Sequence, residues 1–541
     1  MIRHAIPAAL VMAASVLSAQ PRPRAAAPVA SRIQAPWISS HIRFLADRHL
    51  EGRETGKRGA EIAARYVAAE FESLGLAPLG ADSSLLLPVR LRYSEVDPAG
   101  ATLELTGPAG TQTLEPTLDY LIHADKTRDS VDLTGEVVFV GWGVTASARN
   151  YDDYRGLDVK GKIVAMLFGG PPALPPDERG HFASLGVKER NAYAHGAIGV
   201  VTIMPAPGPQ LARGLGQLEG FDWPDERGQP QSPFFEGGVV VRLTDRGTAT
   251  LFGAAGRAFP EVAAALAKGP VSFPTQATIR LRARFRHRPV TVSNTAALLE
   301  GSDPRLKHEY VVYSAHMDHI GVNEPVEGDS VYHGAIDNAG GTAVMMAVAR
   351  AFATGPRPKR SIIFLAVTGE EKGILGSDYF IHHPPVPRQR IVANINLDNF
   401  VLTAPVKDLV AYGASYSSLE TVATGVIRGL GLEVSEDALP WMTIFTRSDH
   451  YAFMRAGVPA VLLFPGKKSG LGSKTGVETQ RAWFDNIHHT PRDRFEQAID
   501  WKSAVLYAEA NLRIGYAVAN AAARPAWRGR GPRFFSETYV P

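Results

Sequence analysis

Read for hydrophobic and polar positions, the chain divides into three stretches of different rhythm. Between Lys57 and Leu74, Val67, Phe71 and Leu74 recur at spacings of four and three, the helical period, and Gly75 suits a C-terminal cap. Trp37 to Asp47 reads as a shorter helix before it. The loop Glu51-Gly-Arg-Glu-Thr-Gly56 joins the two; its Arg53 could line a site, but a Gly-Arg in such a loop is more often a solvated turn. From about Val89 to Arg286 short strand-like runs follow one another: ATLEL, EVVFVGWGV, KIVAMLF and IGVVTIM. Gly/Pro clusters such as Gly169-Gly-Pro-Pro172 and Pro205-Ala-Pro-Gly208 separate them. Beyond Arg286, strand patterns (Tyr310 to Ala315, Ser361 to Thr368, Ile391 to Leu397, Pro459 to Phe464) alternate with helical ones (Gly340 to Phe352, Lys502 to Ala519). SIIFLAVT is apolar almost throughout, as expected for a strand buried on both faces. The alternation argues for an α/β fold, a mixed, mostly parallel sheet flanked by helices.

These rhythms set the expected domains. Residues 36–90 and 287–525 form one α/β domain in two parts, and 91–286 form a β-rich domain inserted between them. A length of 541 residues agrees with two or three domains. At the N-terminus, Arg3 and His4 precede an apolar run from Ala5 to Leu17 and then small residues, the pattern of a signal peptide cleaved near Ala19. That run is short of the ~20 apolar residues of a membrane span. Export to the periplasm or the medium is therefore expected, without stable membrane insertion. Residues 20–35 read as a Pro/Ala linker and 526–541 as a basic Pro/Gly-rich tail.

Composition narrows the chemistry. A hydrophobic fraction of 45% with 21% charged residues is that of a soluble globular chain, and a formal charge of +3 gives no footprint for a nucleic-acid partner. There are no cysteines, so disulfides and thiolate metal sites are excluded, and any metal must be held by histidine and carboxylate.

In open α/β sheets, ligands gather at the carboxyl ends of the strands. His316 follows the strand YVVYSA, with Asp318 two positions on. Gly369-Glu370-Glu371 follows SIIFLAVT, and Asp398 follows IVANINL. Asp337 stands before the helix that starts at Gly340, and His488-His489 stand before the last helix. Each alone is ordinary, since a His or Asp after a strand is commonly a turn or cap residue. Together, five separate segments place His or carboxylate where a parallel sheet could focus them. A Glu at the end of a buried strand is costly to desolvate without a cation. Imidazole plus carboxylate suits zinc, cobalt or manganese. With one carboxylate shared, His316, Asp337, Glu371, Asp398 and His489 suffice for two metals about 3.5–4 Å apart.

The motifs HMDHIG, GAIDNAGG, TGEEKGILGS, NLDN and HHTPRD, in this order, resemble those of the M28 metallopeptidases, the co-catalytic zinc aminopeptidases. The resemblance covers Trp37 to about Leu76 and His287 to about Ala519. It implies that Asp337 bridges two zinc ions, with His316 and Asp398 completing one site and Glu371 and His489 the other. Glu370 then corresponds to the general base, and Asp318 to a residue that orients His316 through its other ring N–H. The HTPRD match favours His489 over its neighbour His488. Arg447-Ser-Asp-His450 resembles a family segment near the substrate pocket, which implies supporting roles for Asp449 and His450. His319 and His333 are read as structural, and the loop Ala411 to Leu419 is expected to shape the pocket. The stretches Tyr154 to Leu167 and Lys188 to Ile203, with their GKIV and GAIGV patterns, resemble the protease-associated (PA) domain and imply a lid or substrate-positioning role for the insert.

The resemblance implies hydrolysis of N-terminal residues from peptides with a free N-terminus. A carboxypeptidase or amidohydrolase on the same fold is the alternative. Relatives with a PA domain also include non-catalytic receptors, in which the ligands are lost; here every ligand position and the base are filled.

Overall fold

The computed structural model describes residues 33–97, 101–207, 220–231, 240–398 and 403–529, which fall within one compact unit. The expected signal peptide lies outside the described residues, as do most of the expected linker and tail. No described helix is long and apolar enough to cross a membrane.

The two leading helices sit where the apolar period places them. α1 (Ala35–Leu45) buries Ile38, Ile42 and Leu45. α2 (Arg58–Ser73) buries Val67 and Phe71, and Gly75 follows its end with a positive φ of 68°. β1 (Leu86–Val96) then leads into the insert. There the strands Ile163–Leu167 and Gly199–Ile203 lie side by side in parallel, and helices α3 (Pro176–Ala183) and Leu185–Ala194 fall between them in the chain. The insert sheet closes over its own apolar core, which includes Leu103, Phe139, Ile163, Leu243 and Ile279.

The return from the insert is a single strand, β2 (Ser272–Leu299). Its first half pairs with Thr102–Gly107 and Ser130–Val140 of the insert sheet. Its second half pairs with β1, from Phe285 opposite Val96 to Thr295 opposite Leu86. The expected boundaries at 90/91 and 286/287 therefore lie inside strands, and the two sheets share a continuous strand across the second of them. The cause is visible in Ile279-Arg-Leu-Arg-Ala-Arg-Phe285. The apolar members are buried, whereas Arg280, Arg282 and Arg284 are exposed, so one period of two carries the strand out of the insert.

The second sheet is built from β3 (Tyr310–His316), β4 (Ser361–Val367), β5 (Ile391–Asn396), β6 (Asp408–Tyr412) and β7 (Ala460–Pro465) together with β1 and β2. Its order is β6-β7-β5-β3-β4-β2-β1. The four central strands β7, β5, β3 and β4 are parallel, while β6 and β2 run antiparallel to their neighbours. Helices α4 (Gly341–Thr354), α5 (Leu375–His382), α6 (Leu419–Gly429), α7 (His450–Arg455), α8 (Gly476–Asn486) and α9 (Trp501–Asn520) cover both faces. In β4 the alternation is plain. Ile362, Phe364 and Ala366 enter the core shared with α1, α4 and α9, and Ile363, Leu365 and Val367 enter the opposite core with α5 and α7. Register positions the chemistry: His316 is opposite Val367, and Ser314 is opposite Asn396. Thr368 to Glu371 and Leu397-Asp398 therefore emerge beside His316.

Candidate metal centre

His316 ends β3 and is buried. Its Nε2 lies 3.0 Å from Asp398 Oδ1 and 3.4 Å from Asp337 Oδ1. The other oxygen of Asp337, Oδ2, lies 3.2 Å from His489 Nε2, which is also 3.1 Å from Glu371 Oε2. Two groups, His316–Asp337–Asp398 and Asp337–Glu371–His489, thus share one carboxylate. Glu370 reaches the first of them, with Oε2 3.9 Å from His316 Nε2. His488 stacks on His489 with ring centroids 3.8 Å apart, but it contacts only Asp337 of these carboxylates, at 3.3 Å.

The tight turn Ala335–Gly340 before α4 carries Asp337. The Asp493 carboxylate accepts hydrogen bonds from the backbone N–H groups of Ile336 and Asp337, both at 2.9 Å. Asn338 ties the turn to β5 by donating to the Leu397 carbonyl at 2.9 Å. The Thr342 hydroxyl donates to the His316 carbonyl at 2.8 Å. Gly334 enters the turn with φ 57°; a Cβ there would sit 2.2 Å from the Asp337 carbonyl oxygen.

Four sequence expectations change. First, Arg53 is not a solvated turn residue but is fully buried. Its guanidinium donates to the carbonyls of Met317 (2.8 Å), His333 (2.7 Å), Gly334 (2.9 Å) and Leu45, which joins the loops on either side of the site. Burial lowers its pKa to about 10, while the carboxylates of Asp493, Asp318, Asp337 and Glu371 act to raise it. Gly52 makes this bend possible, since a Cβ there would strike the Gly321 and Tyr332 carbonyl oxygens at 2.5 Å.

Second, the Asp318 carboxylate does not hold the His316 ring, whose Nδ1 meets the Asp318 backbone carbonyl at 3.2 Å and lies 3.9 Å from Oδ1. The side chain turns to the β4 loop instead. It accepts the Glu370 and Glu371 N–H groups at 3.3 and 3.4 Å and the Thr55 hydroxyl at 2.9 Å.

Third, His319 joins the centre. It is buried, and its Nδ1 lies 2.8 Å from Glu371 Oε1, the oxygen that His489 does not face. Fourth, the pocket wall is Arg447 and Ser448 with Ile444, Leu462, Phe464 and Phe484, and none of residues 411–419 lines it. Asp449 instead accepts the Ser377 hydroxyl at 2.6 Å, and His450 packs against the Phe445 ring. His333 stays outside the centre and contacts Asp329 at 3.2 Å. The segments that supply Arg53 and Asp493 were visible as GRETG and HTPRD, but nothing local marks either side chain as facing the centre.

Electrostatics follow from this crowding. Burial would raise Asp337, yet hydrogen bonds from His316, His488 and His489 hold its carboxyl well below the ordinary range. Burial, with added repulsion from Asp398, Glu371 and Asp449, pushes Glu370 well above it against the pull of His316. Among the described residues, no lysine or arginine forms an ion pair with Asp337, Glu370, Glu371 or Asp398. Two buried carboxylates, Asp337 and Asp398, and two half-buried ones, Glu370 and Glu371, with imidazoles as their cationic partners form an all-oxygen-and-nitrogen donor set that calls for cations, and two groups around one bridge fit a pair of them.

Residues 294–514 match peptidase family M28. The aminopeptidase YwaD of Bacillus subtilis (strain 168) is 29% identical over 208 residues, 37% of this chain and 42% of that protein. A probable zinc metalloprotease of Pyrenophora teres f. teres (strain 0-1) is 36% identical over 111 residues, 20% of this chain and 23% of its own. The aligned segments span less than half the length of these relatives. An aminopeptidase from Aneurinibacillus sp. strain AM-1 is similar in fold, with a TM-score of 0.53 at 21% identity, over 92% of this chain and 95% of its own.

Proposed function

We propose that this chain, whose residues 294–514 form a domain of peptidase family M28, is an exported metallo-aminopeptidase that holds two zinc ions and removes N-terminal residues from peptides. The observation that carries the reading is the Asp337 carboxylate, buried, with each oxygen turned to a different imidazole. His316 and Asp398 would hold one ion with it, and Glu371 and His489 the other. The donor set suits zinc, cobalt or manganese alike, and the name of a relative, a probable zinc metalloprotease, favours zinc. When bound, such a pair polarises the scissile carbonyl and lowers the pKa of a water nucleophile.

The chain's own residues supply the rest. Glu370, at the edge of the His316 group, is placed to take a proton from the attacking water and return it to the departing amine. His319 holds the second oxygen of Glu371, which leaves the first free to face His489. The pocket gives a side chain an apolar wall of Ile444, Leu462, Phe464 and Phe484 beside the acidic cluster. The carboxylates offer a free amine its counter-charge, which favours an unblocked N-terminus. Export rests on the apolar run from Ala5 to Leu17.

A panel of aminoacyl reporter substrates, each with its N-acetylated counterpart, tests this reading with and without chelator. Unblocked substrates should be cleaved, chelator should stop cleavage, and zinc should restore it. Equal cleavage of blocked and unblocked forms would replace the aminopeptidase by an amidohydrolase or carboxypeptidase. Purified protein without zinc and without zinc-dependent activity would favour a binding protein. The mature N-terminus of secreted or periplasmic protein, read by mass spectrometry, should lie close to residue 20.

A further inference from the structure

The pocket wall over the metal centre is not supported by the catalytic sheet alone. Ile444, Arg447 and Ser448 belong to the segment 443–448, which lies between α6 and α7. The helix packed against this segment is α3, more than 250 residues earlier in the chain and part of the insert. Gly180 of α3 is buried at the contact, where a Cβ would meet Thr446 Oγ1 at 2.7 Å and Thr443 Cβ at 3.0 Å. On one side of it, Arg179 donates to the Pro440 carbonyl at 2.5 Å. On the other, fully buried His181 is hydrogen-bonded through Nδ1 to the Tyr451 hydroxyl of α7 at 2.5 Å. Asp177 accepts the Tyr416 hydroxyl at 3.2 Å. In the other direction, Arg149 of the insert pairs with Glu178 and holds the helix to its own domain.

We propose that α3 is a fixed part of the substrate pocket, and that its closest-approach residue, Gly180, sets the position of the 443–448 wall and so which N-terminal side chains the pocket admits. Four contact positions within five residues, Asp177, Arg179, Gly180 and His181, one of them a glycine with no room for a methyl group, describe a built contact. A lid that opens would have to break the buried His181–Tyr451 bond and uncover α7 on each turnover. Gly180, Arg179 and His181 are positioning residues, acting only through Ile444, Arg447 and Ser448. The inference deepens the aminopeptidase reading and rests on it for the substrate arm of its test.

Gly180→Ala inserts one methyl group against Thr443 and Thr446 and alters no group at the metal centre. The expected result is a shift of about ten-fold in the ratio of kcat/KM between leucyl and alanyl reporters, the scale on which one methyl group in a pocket discriminates. The change should fall mainly on KM, with zinc content unchanged. Gly180→Ala combined with Thr446→Ala, which removes Thr446 Oγ1 and Cγ2 and leaves only the 3.0 Å approach to Thr443, should bring the ratio part of the way back, because residues in contact are coupled. A second arm needs no substrate. In the zinc-loaded protein, Arg179→Met should speed amide hydrogen exchange in 441–449 while exchange in β3 and β4 stays unchanged. An unchanged leucyl/alanyl ratio in Gly180→Ala would overturn the proposal, as would unaltered exchange in Arg179→Met. If the parent protein cleaves neither reporter, the aminopeptidase reading fails, and the exchange arm still decides the role of α3.

Discussion

At Asp337 the chain holds one carboxylate between two imidazoles, and its backbone is fixed from behind by Asp493. A shared ligand has a distinct signature. Asp337→Asn should lower the affinity for both zinc equivalents, whereas Asp398→Asn should chiefly weaken one, as a competitive zinc titration of the apo-protein would show. Glu370→Gln should bind both equivalents and lose at least about 100-fold in kcat, the smallest loss expected of a general base; near-normal turnover would remove Glu370 from that role. His319→Gln should weaken one equivalent by about 10–100-fold, the usual effect of removing a group that orients a ligand. Unchanged titration curves would return His319 to a purely structural part. Four of the five ligand candidates could be singled out by position, His316, Glu371 and Asp398 just past apolar strands and Asp337 before a helix, whereas His489, in the turns between α8 and α9, was singled out only by the HTPRD pattern. The direction of a side chain was not legible. Asp318, two residues past His316, could face the ring or the β4 loop, and only the register of β3 against β4 makes it the loop. Arg53 was unreadable for a related reason, since its acceptors Leu45, Met317, His333 and Gly334 come from separate parts of the chain.

Between elements, close approach replaces pattern. β4, apolar after its first residue, announced a sheet buried on both faces, and α9 was expected near its observed limits. The helical period does not reveal how close α9 comes to β3. Tyr313 of β3 is buried and its hydroxyl donates to the Asn511 carbonyl at 2.7 Å; a Cβ on Gly515 would lie 1.9 Å from the Tyr313 hydroxyl oxygen. A glycine inside a helix costs about 1 kcal/mol relative to alanine, and here it gives the tyrosine its place. Gly515→Ala should therefore destabilise the protein by about 1–3 kcal/mol through overpacking, despite its better helix propensity. Adding Tyr313→Phe should return part of the loss. Stabilisation by Gly515→Ala alone, measured by urea unfolding, would show that α9 can move away from β3 at no cost. The long strand β2 was also missed as one element, because its Arg/apolar alternation straddles the change of rhythm at Arg286 that was read as a domain boundary.

Across the whole molecule, the insert sheet and the sheet that carries the candidate metal centre share the strand β2, so a cost inside the insert should be felt by the entire fold. Lys188 supplies such a cost. It is fully buried and donates to the carbonyls of Leu167 at 2.5 Å and Gly169 at 2.6 Å. Burial pushes its pKa down to about 7, against a partial pull upward from Asp153. An unfolded chain keeps the ordinary lysine value of about 10.4. Below pH 7 both forms carry the proton and stability is flat with respect to this group. Between about pH 7 and 10 the unfolded form binds a proton that the folded form does not, so stability rises with pH. Lys188→Met has no such proton. The melting temperature of the parent minus that of Lys188→Met should therefore become more positive from pH 7 to pH 10, with both proteins loaded with zinc. Because the sheets share β2, the gain should appear in the main cooperative transition, and the residues around the metal centre should melt with it. A difference that stays level across this window would mean that Lys188 titrates normally. A difference confined to a minor early transition would mean that the insert unfolds apart from the catalytic sheet despite their common strand.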